Sequence, residues 1–158
     1  MRRMCPECGF SVAGDASGCR AAFEELIARD FSDVRFGRVH RLMVDVYCVQ
    51  HPDRHCVSAK SLAAHLGGLC CAIEHASHPG VHHALRRWIN GGASIEKPAL
   101  PDRRGSLNIG HVRAAQDPQS YAKALDEWAR SAWDAHAALH PLARQWMQAA
   151  LESRPVAR

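Results

Sequence analysis

From residue 17 to the carboxyl end, apolar side chains recur every three or four positions and never alternate over the length of a strand, a pattern that helices bury. Phe23, Leu26, Ile27 and Phe31 share one helical face behind a cap at Ser17. Val39, Leu42, Met43, Val46 and Val49 make the next band over 35–50, and Pro52 stops it. A third helix starts at Ser58 and runs to Glu74 with Leu62, Leu66, Leu69 and Ile73 as its buried stripe, and the short connector 53–57 predicts that it lies antiparallel to the second. Gly67-Gly68 inside it costs about 1 kcal/mol per glycine against alanine, so another helix is expected to come close there.

The remaining elements follow from their punctuation. A shorter helix over 79–90 carries Leu85, Trp88 and Ile89 and ends at Gly91-Gly92. A long irregular loop, 91–107, contains Pro98 and Pro101. Asn108 caps one or two turns to Ala115, and Asp117-Pro118 opens a long helix with Tyr121, Leu125, Trp128, Ala132 and Leu139 at helical spacing. Pro141 kinks or restarts it, and Leu142, Trp146 and Met147 carry the apolar face to Ser153. Trp128, Trp133 and Trp146 read as packing, not as a cofactor box. The expected fold is all-α: a small bundle of five or six helices with an irregular N-terminal zinc knuckle. At 158 residues one domain is expected, divided into a metal-binding knuckle (1–18), helical hairpins (19–90), the loop (91–107) and C-terminal helices (108–153).

Several function classes are disfavoured by composition. The start, Met1-Arg-Arg-Met-Cys-Pro, lacks the apolar region of a secretory signal, and no uncharged apolar run is long enough for a bilayer, so a cytoplasmic protein without a membrane partner is expected. The net charge of +4 is spread along the chain, without a basic stripe interleaved with aromatics, and reads as a solvated surface in preference to a nucleic-acid interface. No partner is indicated beyond self-association into a homo-oligomer. Seven cysteines in a reducing compartment are thiols or metal ligands sooner than disulfides.

The cysteines supply the clearest chemistry. Cys5-Pro-x-Cys8-Gly9 is a tight turn that brings two sulfurs to one side, and Cys19 follows in the first turn of a helix, where unpaired amides and the helix dipole favour a thiolate. Zn²⁺ is the expected ion. Its fourth ligand comes from the turn between the second and third helices, where Cys56 completes an all-thiolate shell or His51 a three-cysteine, one-histidine shell. Four protein ligands close a site and make it structural. A redox pair at Cys5 and Cys8 lacks the strand and helix context of a thioredoxin-like motif.

Eleven histidines direct attention to a second constellation. His40, Val44, Tyr47 and His51 share a helical stripe, but His40 and His51 lie about 16 Å apart at 1.5 Å per residue and cannot share an ion. His65 sits among Leu62, Leu66 and Leu69, facing the second helix, so contact with Asp45 is geometrically open. Asp45 then either orients His65 for acid–base work or pairs with Arg41 or Arg38 while His65 is a hydrogen-bonded core residue. His136 and His140, four residues apart, have the spacing of a metal pair but lack the glutamate of a metalloprotease motif, and read as a solvated or boundary pair. His75, His78, His82 and His83 read as surface.

The words Cys-Pro-x-Cys-Gly, His-Arg-Leu-x-Val-Asp-x-Tyr-x-x-Gln-His-Pro from His40 to Pro52, and Ser-Ala-Lys-Ser-Leu-Ala-x-His-Leu from Ser58 to Leu66 resemble a bacterial family known as a domain of unknown function. The likeness extends over nearly the whole chain and implies no activity. It marks Cys5, Cys8, Cys19, His40, Asp45, Tyr47, Gln50, His51 and His65 as candidates. Longer relatives carry a histidine between the second and third cysteines; Gly9 to Gly18 contains none here, which adds to the case for Cys56. The expected function is thus zinc binding with a structural ion. The alternative is a metal- or histidine-dependent hydrolase or transferase with His40, Asp45, Tyr47, His51 and His65 as its candidate residues, around a pocket beneath the long loop.

Overall fold

The computed structural model describes residues 3–12 and 18–155. The fold is all-α, with one short exception at the N-terminus, where β1 (Arg3–Met4) pairs antiparallel with β2 (Ser11–Val12) in the register Arg3 to Val12 and Met4 to Ser11. The irregular knuckle, residues 5–10, thus forms the turn that this short ladder closes. Cys5 N–H donates to the Phe10 carbonyl at 2.8 Å and Gly9 N–H to the Cys5 carbonyl at 2.9 Å, with Gly9 at φ 74°, a conformation that favours glycine.

Six long helices form the body: α1 (Gly18–Ser32), α3 (His40–Gln50), α5 (Ala59–Glu74), α6 (Pro79–Asn90), α8 (Pro118–Ala135) and α9 (His140–Glu152). Single turns, α2 (Val34–Gly37), α4 (Pro52–His55) and α7 (Ile109–Arg113), connect them. The starts lie where capping chemistry places them. Ser58 accepts from Ser61 N–H and Ser61 returns the bond in a capping box, Asp117 accepts from Ser120 N–H, and Asn108 from Gly110 N–H. Pro141 restarts the chain: α8 ends at Ala135, a 3₁₀ turn spans Ala137–Leu139, and the proline falls in the first turn of α9. The cap expected at Ser17 lies outside the described residues.

Two expectations are corrected. The helix over 35–50 is two helices, because the Asp33 side chain accepts from Arg35 N–H and starts α2, after which the chain turns at Arg38 and Val39 before α3. Phe31 does not share the buried face of α1; it is 77% exposed, and Cys19, Ala22 and Leu26 are the buried apolar residues of that helix.

α5 lies at the centre, against α3, α6, α8 and α9. Its stripe Leu62, Leu66 and Leu69 is fully buried and joins Met43 and Val46 of α3 and Leu125 and Trp128 of α8 in one apolar cluster. Each such side chain contributes about 1.5–3 kcal/mol by leaving water, which is what holds six amphipathic helices together. The two glycines have separate reasons. A side chain at Gly67 meets Leu85 of α6, and one at Gly68 meets the Asp45 carboxylate of α3.

The loop 91–107 is tied to this body through Gln50, the last residue of α3. Its buried amide donates to the carbonyls of Arg104 at 2.9 Å and Leu107 at 2.8 Å, and its Oε1 accepts from Trp128 Nε1 at 2.9 Å.

Candidate metal centre

The turn after α3 brings four side chains of distant sequence together. Cys5 and Cys8 come from the knuckle, Cys19 from the first turn of α1, and His51 from the residue that ends α3, and their ligand atoms all lie within 4.8 Å of one another. His51 Nε2 is 3.2 Å from Cys19 Sγ and 3.6 Å from Cys5 Sγ, and Cys8 Sγ is 3.4 Å from Cys19 Sγ. Four donors held by one ion at about 2.3 Å stand about 3.8 Å apart, so the cluster needs shifts of no more than about 1 Å between its donors to hold a metal.

The histidine is prepared for that role. Its Nδ1–H donates to the Tyr47 carbonyl at 2.7 Å, one helical turn back, which leaves Nε2 directed at the sulfurs. The Tyr47 ring is stacked between Phe23 at 3.8 Å and His51 at 4.0 Å, fixing the imidazole plane. Tyr47 is thus a support with its hydroxyl 3.8 Å from Cys19 Sγ.

Charge is concentrated on the same atoms. The hydrogen bond from Cys8, helped by His51 and opposed by burial, pulls Cys19 down to about 4, while that bond and burial push Cys8 up. Burial alone lowers His51, but the Cys19 thiolate and the Tyr47 carbonyl outweigh it and raise the imidazole to about 9. A Cys19 thiolate facing an imidazolium and the Cys8 thiol is a set that a divalent cation replaces by displacing protons.

Cys56 stands apart from this cluster. Its buried thiol donates to the Cys48 carbonyl at 3.4 Å, burial pushes it up to about 12, and it lies outside the group of four side chains whose ligand atoms converge. Of the two residues the sequence offered from that turn, His51 is the one that reaches the knuckle.

The other candidates divide into two carboxylate–histidine pairs. Asp45 Oδ1 is 2.9 Å from His65 Nδ1, the contact that α3 and α5 were expected to allow, and the partner of Asp45 is neither Arg41 nor Arg38. His40 Nδ1 instead reaches Asp30 Oδ2 of α1 at 2.9 Å, where the Tyr121 hydroxyl also donates at 3.4 Å. His40, Asp45 and His65 border one hollow of about 340 Å³, formed by α3, α5 and α6, and no residue of the loop 91–107 lines it. The pocket beneath that loop which the enzyme alternative expected is therefore absent from around these residues, and His51 belongs to the sulfur cluster.

Asp30 and Gln50 carry weight that their spacing did not announce. Asp30 is a buried carboxylate on a face otherwise apolar at Leu26 and Ile27, which is the one signal it offered. His136 is 1% exposed and donates to the Ala132 carbonyl at 2.7 Å, so it is a core residue, not a solvated one; His140 stacks on Trp133 at 3.9 Å and bonds its carbonyl. His78 caps α6, accepting from Gly80 N–H.

Fold and site together define an all-α protein with a Cys₃His cluster that could hold a metal ion. A family model matches residues 3–137, and the chain belongs to that family, described as a family of unknown function (DUF5946). No curated protein and no solved structure is similar enough to count as a match.

Proposed function

We propose that the chain is a zinc protein whose ion is structural, fastening the N-terminal arm to α1 and the end of α3. One observation carries this: four donors from three separate elements converge within 4.8 Å, and Nδ1 of the histidine is already committed to a backbone carbonyl, which leaves Nε2 facing the sulfurs. Three thiolates and one imidazole suit Zn²⁺ over harder cations, and a shell filled by four side chains leaves no position for a substrate or a reactive water. The seven free thiols fit a reducing, cytoplasmic setting.

The test is metal analysis of protein purified without a histidine tag. About one zinc per chain is expected; protein that stays metal-free when zinc is added sinks the reading. The enzyme alternative receives less support from the same geometry, since His51 and Tyr47 belong with the sulfurs and His40 pairs with Asp30, leaving Asp45 and His65 as the one carboxylate–histidine pair within that candidate set.

A further inference from the structure

Away from the sulfur cluster, α3, α5 and α6 enclose a cleft of about 630 Å³ lined by Arg38, Arg41 and Arg86, with His82 and Asp45 among its other walls. The hollow beside His65 continues it, sharing Arg41, Asp45, His82 and Arg86 and adding the apolar walls Val44, Leu85 and Ile89. Among the described residues none of the three arginines has a carboxylate partner, whereas Arg35, Arg113, Arg130 and Arg144 are each paired with one. Three uncompensated guanidiniums on one concave wall raise the local potential, and the effect is visible on a neighbour. Burial and the charges of Arg41 and Arg86 hold His82 down at about 4, so it is neutral and accepts from Arg41 Nη1 at 3.4 Å, orienting that guanidinium.

The floor is polar and buried. Asp45 is 6% exposed; one oxygen is held by His65 and the other, Oδ2, has no hydrogen-bond partner and lies against Gly68. Asp45 is the one carboxylate bordering either hollow, its Oδ1 is bonded to His65, and the three guanidiniums outnumber it.

We propose that this cleft binds a small organic phosphate, with the phosphoryl group between Arg41 and Arg86 and the apolar body along Val44, Leu85 and Ile89. The cleft has the volume of a small-molecule site, and paired guanidiniums match the charge and fork geometry of a phosphoryl dianion better than those of a single carboxylate. The apolar extension gives a reason for an ester over the free ion. No ligand of the sulfur cluster lines the cleft, so the site is independent of the metal.

The experiment titrates the full zinc-loaded chain, uniformly labelled with nitrogen-15, with phenyl phosphate and with inorganic phosphate, following amide shifts. Saturable shifts at Gly68, Ala72 and Arg86 are expected with phenyl phosphate at submillimolar concentration, and the same shifts with phosphate at about tenfold lower affinity. Arg41→Gln and Arg86→Gln are each expected to weaken phenyl phosphate about tenfold or more, while Arg113→Gln leaves it unchanged. Absence of saturable shifts, shifts spread over other surface arginines, equal affinity for the two probes, or full affinity in both variants overturns the proposal. The wild-type map stands even if a variant fails to fold.

Discussion

The carboxylate of Asp45 occupies the space that a side chain at Gly68 would need. A Cβ there would overlap Oδ2, and the carboxylate cannot swing away without breaking its 2.9 Å bond to His65. Gly68→Ala is therefore expected to destabilise the protein by about 2–3 kcal/mol, against the gain of about 1 kcal/mol in helix propensity. Gly67→Ala meets only the flexible end of Leu85 and should stay within about 1 kcal/mol of wild type. Urea unfolding of the two variants checks the contrast.

The metal shell distinguishes two residues of one turn. Cys19→Ser and His51→Ala should each lower zinc affinity by more than about 100-fold, measured by competition with a chromophoric chelator, while Cys56→Ser keeps about one zinc per chain. Far-UV circular dichroism should hardly change on zinc removal, because the apolar cluster that holds the helices is centred on α3, α5 and α8.

Gln50→Ala removes three hydrogen bonds in one change and leaves the Arg104 and Leu107 carbonyls and Trp128 Nε1 without their partner. A loss of about 2–4 kcal/mol is expected. Proteolysis should then cut first within 91–107, in contrast with wild type.

Acid should weaken the fold through His82. In the folded protein this imidazole is moved from its ordinary 6.5 to about 4, mainly by burial, so the unfolded chain takes up the proton first. The stability that neutral His82 contributes is complete above about pH 6.5 and is lost as pH falls from there towards 4. His136, lowered by burial, acts in the same direction. His82→Gln should flatten part of the decline in denaturation midpoint between those limits; an unchanged slope contradicts this reading.

Helix starts were legible because each is written locally: Ser58, Asn108 and Asp117 cap with their own side chains. The break before His40 was not, because the turn at Arg38 and Val39 is coupled to a bond from His40 to Asp30, ten residues back on another helix. At the sulfur cluster the convergence of the three cysteines could be read from spacing. The choice between His51 and Cys56 could not, since both occupy one turn and only the direction in which α3 ends separates them. The Tyr47 to His51 spacing of one helical turn held part of the answer, because it lets Nδ1 bond to the carbonyl behind it and turns Nε2 outward. The Asp45 to His65 contact was legible as a pairing of faces, but the arginine cleft above it was not, since its walls come from α3 and α6, more than thirty positions apart.

The four cluster residues do not leave the ribosome together. Cys5, Cys8 and Cys19 are made first and present three sulfurs while α3 is still unwritten, and His51 follows 32 positions after the last of them. On the proposed reading, an ion captured early would be held by thiolates alone until α3 has coiled far enough to turn an imidazole towards it. Completion of such a shell would require the first and third helices to have docked, which would make the proposed metal a checkpoint in the order of assembly.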